Sequence, residues 1–480
     1  MEALQRLHNR GSISTGYNID NSFVQEYNNA RRVSMLYGGF GGSAPTNTKA
    51  TISFWFKWAG TNAGGANWKM IDTQNSQFGV INPDDATYQG AIYCAGQNES
   101  LFKLVSTAKF RDTSAWYHMC AIFDSTLSTA SDRVKIYVNG VRVTDFTTAN
   151  YPAQNASFRH IGENTTHHVG HDVNAGKPYA YYADMYYIFD QAKDVTDFGE
   201  FDEDTGIWKP IEYTGTFGSY GYYWDFSNAS NYAEDQSGND ASTGQMTGQS
   251  ISTTTAMQST DTPTNNFCLI NTLQPADQTV TNGATVWSNT VANSWRSSVA
   301  NTGVNNGKWY YEITIDTGGY NMVGITGENG INTLLGTYLG ASADATNASY
   351  GYLGNGVIYN NAGTPTTGLP TFGGGNIISC ALDMDNGYVY FAKNGSWINS
   401  GDPTSGSSGT GGWALYDSSE TQFFASSIYG SSDTLKYNFG GFYFTTISTA
   451  ETDANGYGTF EYAPPTGYYA LCSKNLAEFG

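Results

Sequence analysis

The sequence predicts an all-β protein: two antiparallel β-sandwich domains in tandem behind a short N-terminal anchor. Three observations carry this. In Asp132 to Val143 (DRVKIYVNGVRV), Val134, Ile136 and Val138 alternate with Lys135 and Tyr137, Asn139-Gly140 follows, and Val141, Arg142 and Val143 run back. Asn-Gly supplies the two positive-φ positions of a tight hairpin turn. The same device returns at Tyr388 to Lys393, Asn394-Gly395 and Ser396 to Ile398, far enough downstream to place one β domain around each hairpin. Finally, the chain holds 56 Gly, 15% aromatics and 13% charged residues, against about 25% charged in an ordinary domain. Such a composition suits strands and turns and predicts few helices. A length of 480 residues exceeds what one core usually organises.

Charge and apolar patterning narrow the partners. With a net charge of −20 and 22 Lys+Arg, the chain repels phosphate backbones and anionic headgroups, which argues against nucleic acid as a partner. No apolar run approaches the roughly 20 residues of a membrane span, so no membrane insertion is expected, and Met1 to Gly16 lacks the apolar stretch of a signal peptide. A soluble protein outside the ordinary secretory route is expected. Cys94, Cys120, Cys268, Cys380 and Cys472 are odd in number, scattered and without a C-x-x-C pair, and read as buried free thiols. A polar, aromatic, lysine-poor surface on a chain without an export signal fits a virion protein, made in the host cytoplasm and meeting the exterior after lysis.

In chain order, residues 1–18 form the anchor segment. Leu4 and Leu7 share one possible helical face, and Arg6 and Arg10 are positive in an acidic chain. Two readings stand: docking onto an acidic virion partner, or a frayed terminus. From Tyr17 the pattern is strand-like, and Thr51 to Trp58 sets Ile52, Phe54, Phe56 and Trp58 on one face. Ile52 to Phe56, Trp116-Tyr117-His118-Met119 and Lys135 to Gly140 resemble the laminin-G-like branch of the concanavalin A-type jelly rolls. The resemblance implies two stacked antiparallel sheets over 19–226, a fold often used to bind glycans. Gly199 to Thr214 and Gly218 to Phe226 resemble the segment that follows this jelly roll in tail-fibre-like proteins of tailed bacteriophages, and Tyr222 to Phe226 is expected to pack back on the first domain.

Residues 227–266, rich in Ser, Thr, Gln, Asn and Gly, read as a linker too polar to form its own core. The second domain spans 267–445. Lys308 to Ile315, Met322 to Ile325, Ile377 to Asp385 and Tyr388 to Pro403 resemble, in order, the SPRY domain. This implies a bent, non-catalytic sandwich that presents loops for recognition. Phe460 to Leu476 resembles the tail that follows SPRY modules in phage proteins, and residues 446–480 are expected to form a C-terminal β tail that packs on that domain.

Three constellations bear on chemistry. Glu200, Asp202 and Asp204 alternate like the E-x-D-x-E strand of jelly-roll glycosidases, but Asp204 is short for an acid/base Glu, and Gly206 with the acid-rich flank favours a solvated loop. His167, His168 and His171 beside Asp172 suggest zinc, yet on a strand neighbouring His167 and His168 point to opposite faces. No catalytic group, metal or cofactor is therefore assigned. Sugar rings stack on aromatic faces, and the aromatics in polar, loop-like surroundings are the binding candidates: Trp287, Trp295 beside Arg296, Tyr350, Tyr352 and Trp397. The expected function is non-catalytic recognition of a host-surface glycan or receptor by a tail fibre or adhesin. A homo-oligomer is implied, trimeric if it is a fibre, and repetition would turn weak contacts into avidity. A capsid-attached head fibre or decoration protein is the alternative, and a polysaccharide depolymerase the weaker one.

Overall fold

The computed structural model describes residues 16–25, 33–36, 47–60, 70–72, 76–81, 85, 87–96, 98–158, 166–169, 179–232, 234–239, 257–273, 278–334, 336–341, 349–360, 366–431, 433–443 and 445–480. Two compact units divide between Thr264 and Asn265. Each is a pair of packed sheets, so the chain forms the all-β, two-sandwich architecture. The anchor residues Leu4, Arg6, Leu7 and Arg10 lie outside the described residues.

In the first unit an eight-stranded sheet runs Val141–Arg142, Val134–Val138, Trp116–Asp124, Lys49–Trp58, Ala180–Phe189, Ser22–Gln25, Gln258–Ser259, with Tyr222–Trp224 also on Ala180–Phe189. A seven-stranded sheet faces it: Phe146–Asn150, Phe102–Lys109, Ala91–Gly96, Gln77–Val80, Ile71–Asp72, Thr166–Val169, Val33–Leu36. The organising hairpin pairs Val138 with Val141, with φ of 46° at Asn139 and 76° at Gly140, the left-handed pair that Asn-Gly adopts at low cost. Ile52, Phe54, Phe56 and Trp58 enter the core between the sheets, as their period-2 spacing requires. The alternate residues Ser53, Trp55 and Lys57 are buried too, a consequence of covering segments that strand periodicity does not reveal.

One cover is the hairpin Gly199–Phe201 with Trp208–Pro210. Trp208 Nε1 donates to His118 Nδ1 at 3.0 Å, and the two rings stack at 5.8 Å. His118 Nε2 lies 2.8 Å from Ser53 Oγ, and burial pushes the imidazole down to about 3, which keeps it neutral. The other cover comes from the stretch read as a linker. Tyr232 is in the core, Asp235 Oδ1 accepts Tyr223 N–H at 2.9 Å, Gln258–Ser259 adds a strand to Ser22–Gln25, and Asp261 is fully buried. Polar composition precludes a core of its own, and here hydrogen bonds fasten the segment to a neighbouring sheet instead. Residues 240–256 lie outside the described residues.

The second unit stacks a nine-stranded sheet on a five-stranded one. The larger runs Gln278–Thr281, Val286–Asn289, Thr434–Asn438, Lys308–Thr317, Ile377–Asp383, Tyr388–Lys393, Ser396–Trp397, with Trp413–Ala414 on Tyr388–Lys393 and Tyr469–Ala470 parallel to Lys308–Thr317. The smaller runs Arg296–Val304, Gln422–Ile428, Asn321–Gly327, Tyr350–Leu353, Val357–Asn360. Asn394 and Gly395, at φ of 47° and 77°, turn the second Asn-Gly hairpin. The tail closes over the larger sheet. Glu312 accepts the N–H groups of Glu461 and Tyr462, each at 2.9 Å, and Phe460, Tyr468 and Ala470 pack with Tyr310 and Tyr390. All five cysteines are free and buried.

Candidate ligand-binding site

The candidate site is a row of aromatic rings at one end and on the outer face of the five-stranded sheet. Three strand ends meet there: Arg296 and Asn321 both pair with Ile428. Just beyond the register, Ser294 N–H donates to Tyr429 C=O and Tyr429 N–H to Tyr320 C=O, each at 3.3 Å. Trp295, Tyr429 and Tyr320 are thereby set side by side from three separate loops. Tyr320 and Tyr429 lie 6.1 Å apart at their centroids, Tyr429 and Trp295 5.3 Å, Trp295 and Tyr338 5.1 Å, and Tyr338 and Tyr359 5.8 Å, with interplanar angles of 59°, 55°, 45° and 80°.

The supports are fixed by hydrogen bonds and packing. Asn289, itself buried, accepts Val291 N–H at 2.9 Å and donates to Ser294 C=O at 3.0 Å, bracing the loop that carries Trp295. Tyr338 rides on a segment held to the sheet by Leu339 N–H on Ser427 Oγ at 3.0 Å and Ser297 Oγ on Thr337 C=O at 2.8 Å. Gly340, at φ of 72°, lets this segment approach the strand of Tyr359; a Cβ there would stand 2.4 Å from the Tyr359 carbonyl. Underneath, Val299, Met322, Leu334, Leu339, Leu353 and Ala425 make a dry base. Tyr320 is 60% exposed, and Trp295, Tyr338, Tyr359 and Tyr429 are half-buried. Arg296 Nη1 donates to Ser294 Oγ at 2.7 Å and to Trp295 C=O at 2.9 Å, holding a guanidinium beside the row. A rigid, tilted strip of aromatic faces edged by hydroxyls and one cation can stack and hydrogen-bond an extended polar ligand without reorganising.

Of the residues singled out from sequence, Trp295 and Arg296 belong to this strip and the rest do not. Trp287 is fully buried between the sheets and donates to Gln278 Oε1 at 2.9 Å. Tyr350 and Tyr352 are buried as well. Two residues apart on a strand, they share its inward face, where Tyr352 packs on Phe372 and Phe391 and donates to the Pro370 carbonyl. Trp397 is half-buried on the other sheet, against the tail cluster of Tyr390 and Tyr468. Sequence reading missed Tyr320, Tyr338, Tyr359 and Tyr429. Each adjoins Gly, Asn or Thr, Tyr338 in a turn and the others at strand ends, a faint signal, and only the topology brings them together.

The acidic cluster occupies an exposed hairpin. Asp202 caps its turn, accepting Thr205 N–H and Oγ1–H, both at 2.9 Å, and Lys209 Nζ lies 3.3 Å from both Glu200 and Asp202. Those Thr205 bonds hold the Asp202 carboxyl below the usual carboxylate range, the opposite of what a general acid needs. His167 is buried on strand Thr166–Val169, its Nδ1 3.3 Å from Tyr222 Oη; His171 lies outside the described residues. Among the described residues no group of three or more His, Cys, Asp or Glu side chains is placed to hold a metal ion.

Comparison with known proteins identifies both domains. Residues 40–193 match the family model of the concanavalin A-like lectin/glucanases superfamily, and residues 308–440 match that of the SPRY domain. Similar solved structures include a human SPRY domain, at 16% identity over 36% of this chain and 95% of that one, with a TM-score of 0.25. The SPRY domain of human HERC1 is similar at 17% identity over 35% of this chain and 96% of that one, with a TM-score of 0.27. A heptameric SAP-like pentraxin from Limulus polyphemus is similar at 12% identity over 37% of this chain and 80% of that one, with a TM-score of 0.26. No curated protein matches. The chain thus carries a laminin-G-like domain followed by a SPRY domain.

Proposed function

We propose that this is a virion surface protein of a tailed bacteriophage, a tail fibre or adhesin, which recognises a host-surface glycan or receptor without catalysis. The observation that carries the reading is the aromatic strip Tyr320, Tyr429, Trp295, Tyr338 and Tyr359. Both domain families are typically binding modules, and the one alternating carboxylate set is a salt-bridged surface turn. A shallow strip gives modest affinity per copy, and assembly into a homo-oligomer on the virion multiplies it. The test is binding of the full-length chain to a microarray of bacterial surface polysaccharides. Binding to a subset, lost in Trp295→Ala and Tyr429→Ala while the thermal melt is retained, is the expected result. Equal binding by both variants would remove the strip from the account, and release of reducing ends from a bound polysaccharide would replace recognition with hydrolysis.

A further inference from the structure

Lys57 is the one lysine among the buried described residues, and both it and its partner Asp261 have fully buried side chains. Taking two charges out of water costs several kcal/mol per ion, and a buried pair repays this only with very good geometry. Here the geometry is tightly held. Lys57 Nζ lies 2.8 Å from Asp261 Oδ2, and Trp116 Nε1 donates to Asp261 Oδ1 at 3.0 Å. The Asp261 backbone is fixed at both ends, its N–H on Ser259 Oγ at 2.9 Å and its C=O accepting Ser22 Oγ–H at 2.6 Å. The Tyr181 ring, 5.8 Å from Nζ and 6.2 Å from the Trp116 ring, walls the pair on one side. The enclosure holds a nitrogen nucleophile and a carboxyl group as fixed neighbours, and such fixed proximity removes much of the entropic barrier to a reaction between them.

We propose that Lys57 and Asp261 condense into an intramolecular amide. The ammonium passes one proton to Oδ2 across the 2.8 Å contact, leaving an amine and a carboxylic acid. The Nζ lone pair attacks Cγ and forms the C–N bond, while the charge developing on Oδ1 meets the Trp116 N–H. Collapse breaks the Cγ–Oδ2 bond; Oδ2 leaves as water with the transferred proton and a second proton from Nζ. Ammonium and carboxylate become a secondary amide plus one water, with no oxidant or reductant. Two buried charges are replaced by one neutral group. Both proton transfers run within the pair, so product accumulates slowly as the folded protein ages.

The position gives the bond a use. Strand Gln258–Ser259 is held to Ser22–Gln25 by two register pairs, and the second unit begins at Asn265. Tension entering through that junction would peel residues 258–264 first. An amide would carry it into Lys49–Trp58, a strand paired on both sides, in a chain whose cysteines are all free. The proposal is independent of the recognition site. Its test is the intact mass of the denatured, reduced full-length chain, freshly made and after prolonged incubation in the folded state. Loss of one water that grows with time, together with a branched peptide joining the Lys57 and Asp261 fragments, is expected. Lys57→Arg, which keeps the charge, should abolish both, and Trp116→Phe should slow their appearance. Aged protein at its unmodified mass would overturn the proposal. So would a water loss that persists in Lys57→Arg or lacks the branched peptide, since that marks an aspartyl succinimide.

Discussion

Asp184 offers the most direct test of how this fold handles a buried charge. It sits at the irregularity between Ala183 and Tyr186 in strand Ala180–Phe189, with φ of 51°, and is 2% exposed. Its Oδ1 accepts the hydroxyls of Tyr17 at 2.9 Å, Tyr186 at 2.9 Å and Tyr223 at 2.7 Å. Burial outweighs these three donors and, with the charge of Asp225 adding to it, pushes the carboxyl from 3.8 up to about 6. The folded state therefore holds this proton more tightly than the unfolded chain. The stabilisation is complete below the unfolded value and is lost as pH rises from about 4 to about 6. Two units at 1.36 kcal/mol each put the loss at about 3 kcal/mol. Asp184→Asn keeps an acceptor for the tyrosines and a residue type tolerant of positive φ, but it does not titrate. Urea unfolding of the first unit at pH 3, 5, 6 and 7 should show the wild type losing about 3 kcal/mol more than the variant between the ends of that range. Parallel pH profiles for the two proteins would refute the reasoning.

Other consequences follow from particular contacts. Gly140→Ala adds a Cβ at φ of 76° that would stand 2.2 Å from the Trp208 ring; a loss of roughly 1–3 kcal/mol in chemical unfolding is expected. Trp287→Ala opens a cavity in a fully buried site and should cost about 3–5 kcal/mol, read from the second unit's unfolding transition. Glu312→Gln keeps one acceptor oxygen and turns its N–H₂ either toward the donor Glu461 N–H or toward the donors Tyr462 N–H and Tyr310 O–H, so at least one donor loses its acceptor. The tail around residues 451–462 should then exchange its amide hydrogens faster while the strands beneath stay protected. Burial pushes the thiols of Cys94, Cys120, Cys380 and Cys472 well up, so an aromatic disulfide reagent should leave them unmodified in the native state and react once urea unfolds the chain.

The fold was legible where the chain states its geometry locally. Asn139-Gly140 and Asn394-Gly395 fix turn type, and Ile52, Phe54, Phe56 and Trp58 fix a buried face, because φ preference and strand period act over a few residues. The second buried face of that strand was not legible. Its cover comes from Trp208 and from Asp261, more than a hundred positions away, and the polar residues that carry the latter contribute hydrogen bonds, which leave no hydrophobic pattern. The site was half legible for the same reason. Polar neighbours picked out Trp295 and Arg296, but they also picked out Tyr350 and Tyr352, whose flanking glycines let backbones approach. Whether an aromatic beside Gly faces the core or the solvent depends on the strand's register against partners distant in sequence.

Register and covering together explain why the strip on the second unit, and not the richer aromatic content elsewhere, is the proposed recognition surface. On the first unit Trp55, Trp116, His118 and Tyr181 share an outward face, yet the hairpin bearing Trp208 and the segment bearing Asp261 seal it. On the larger sheet of the second unit, Tyr310 and Tyr390 lie beneath Phe460 and Tyr468 of the tail. Tyr88 and Tyr93 make a smaller aromatic pair on the first unit, but Lys103 Nζ lies 5.9 and 5.2 Å from their centroids and is bound to Glu99 at 2.9 Å, so the chain's own cation occupies those faces. At the end of the five-stranded sheet no such cover intervenes among the described residues. Replacing Tyr320, the most exposed ring of the strip, by Ala should therefore leave the melting temperature unchanged and weaken ligand binding. A drop in stability with binding intact would mean that these rings are packing elements, and the recognition surface would have to be sought elsewhere.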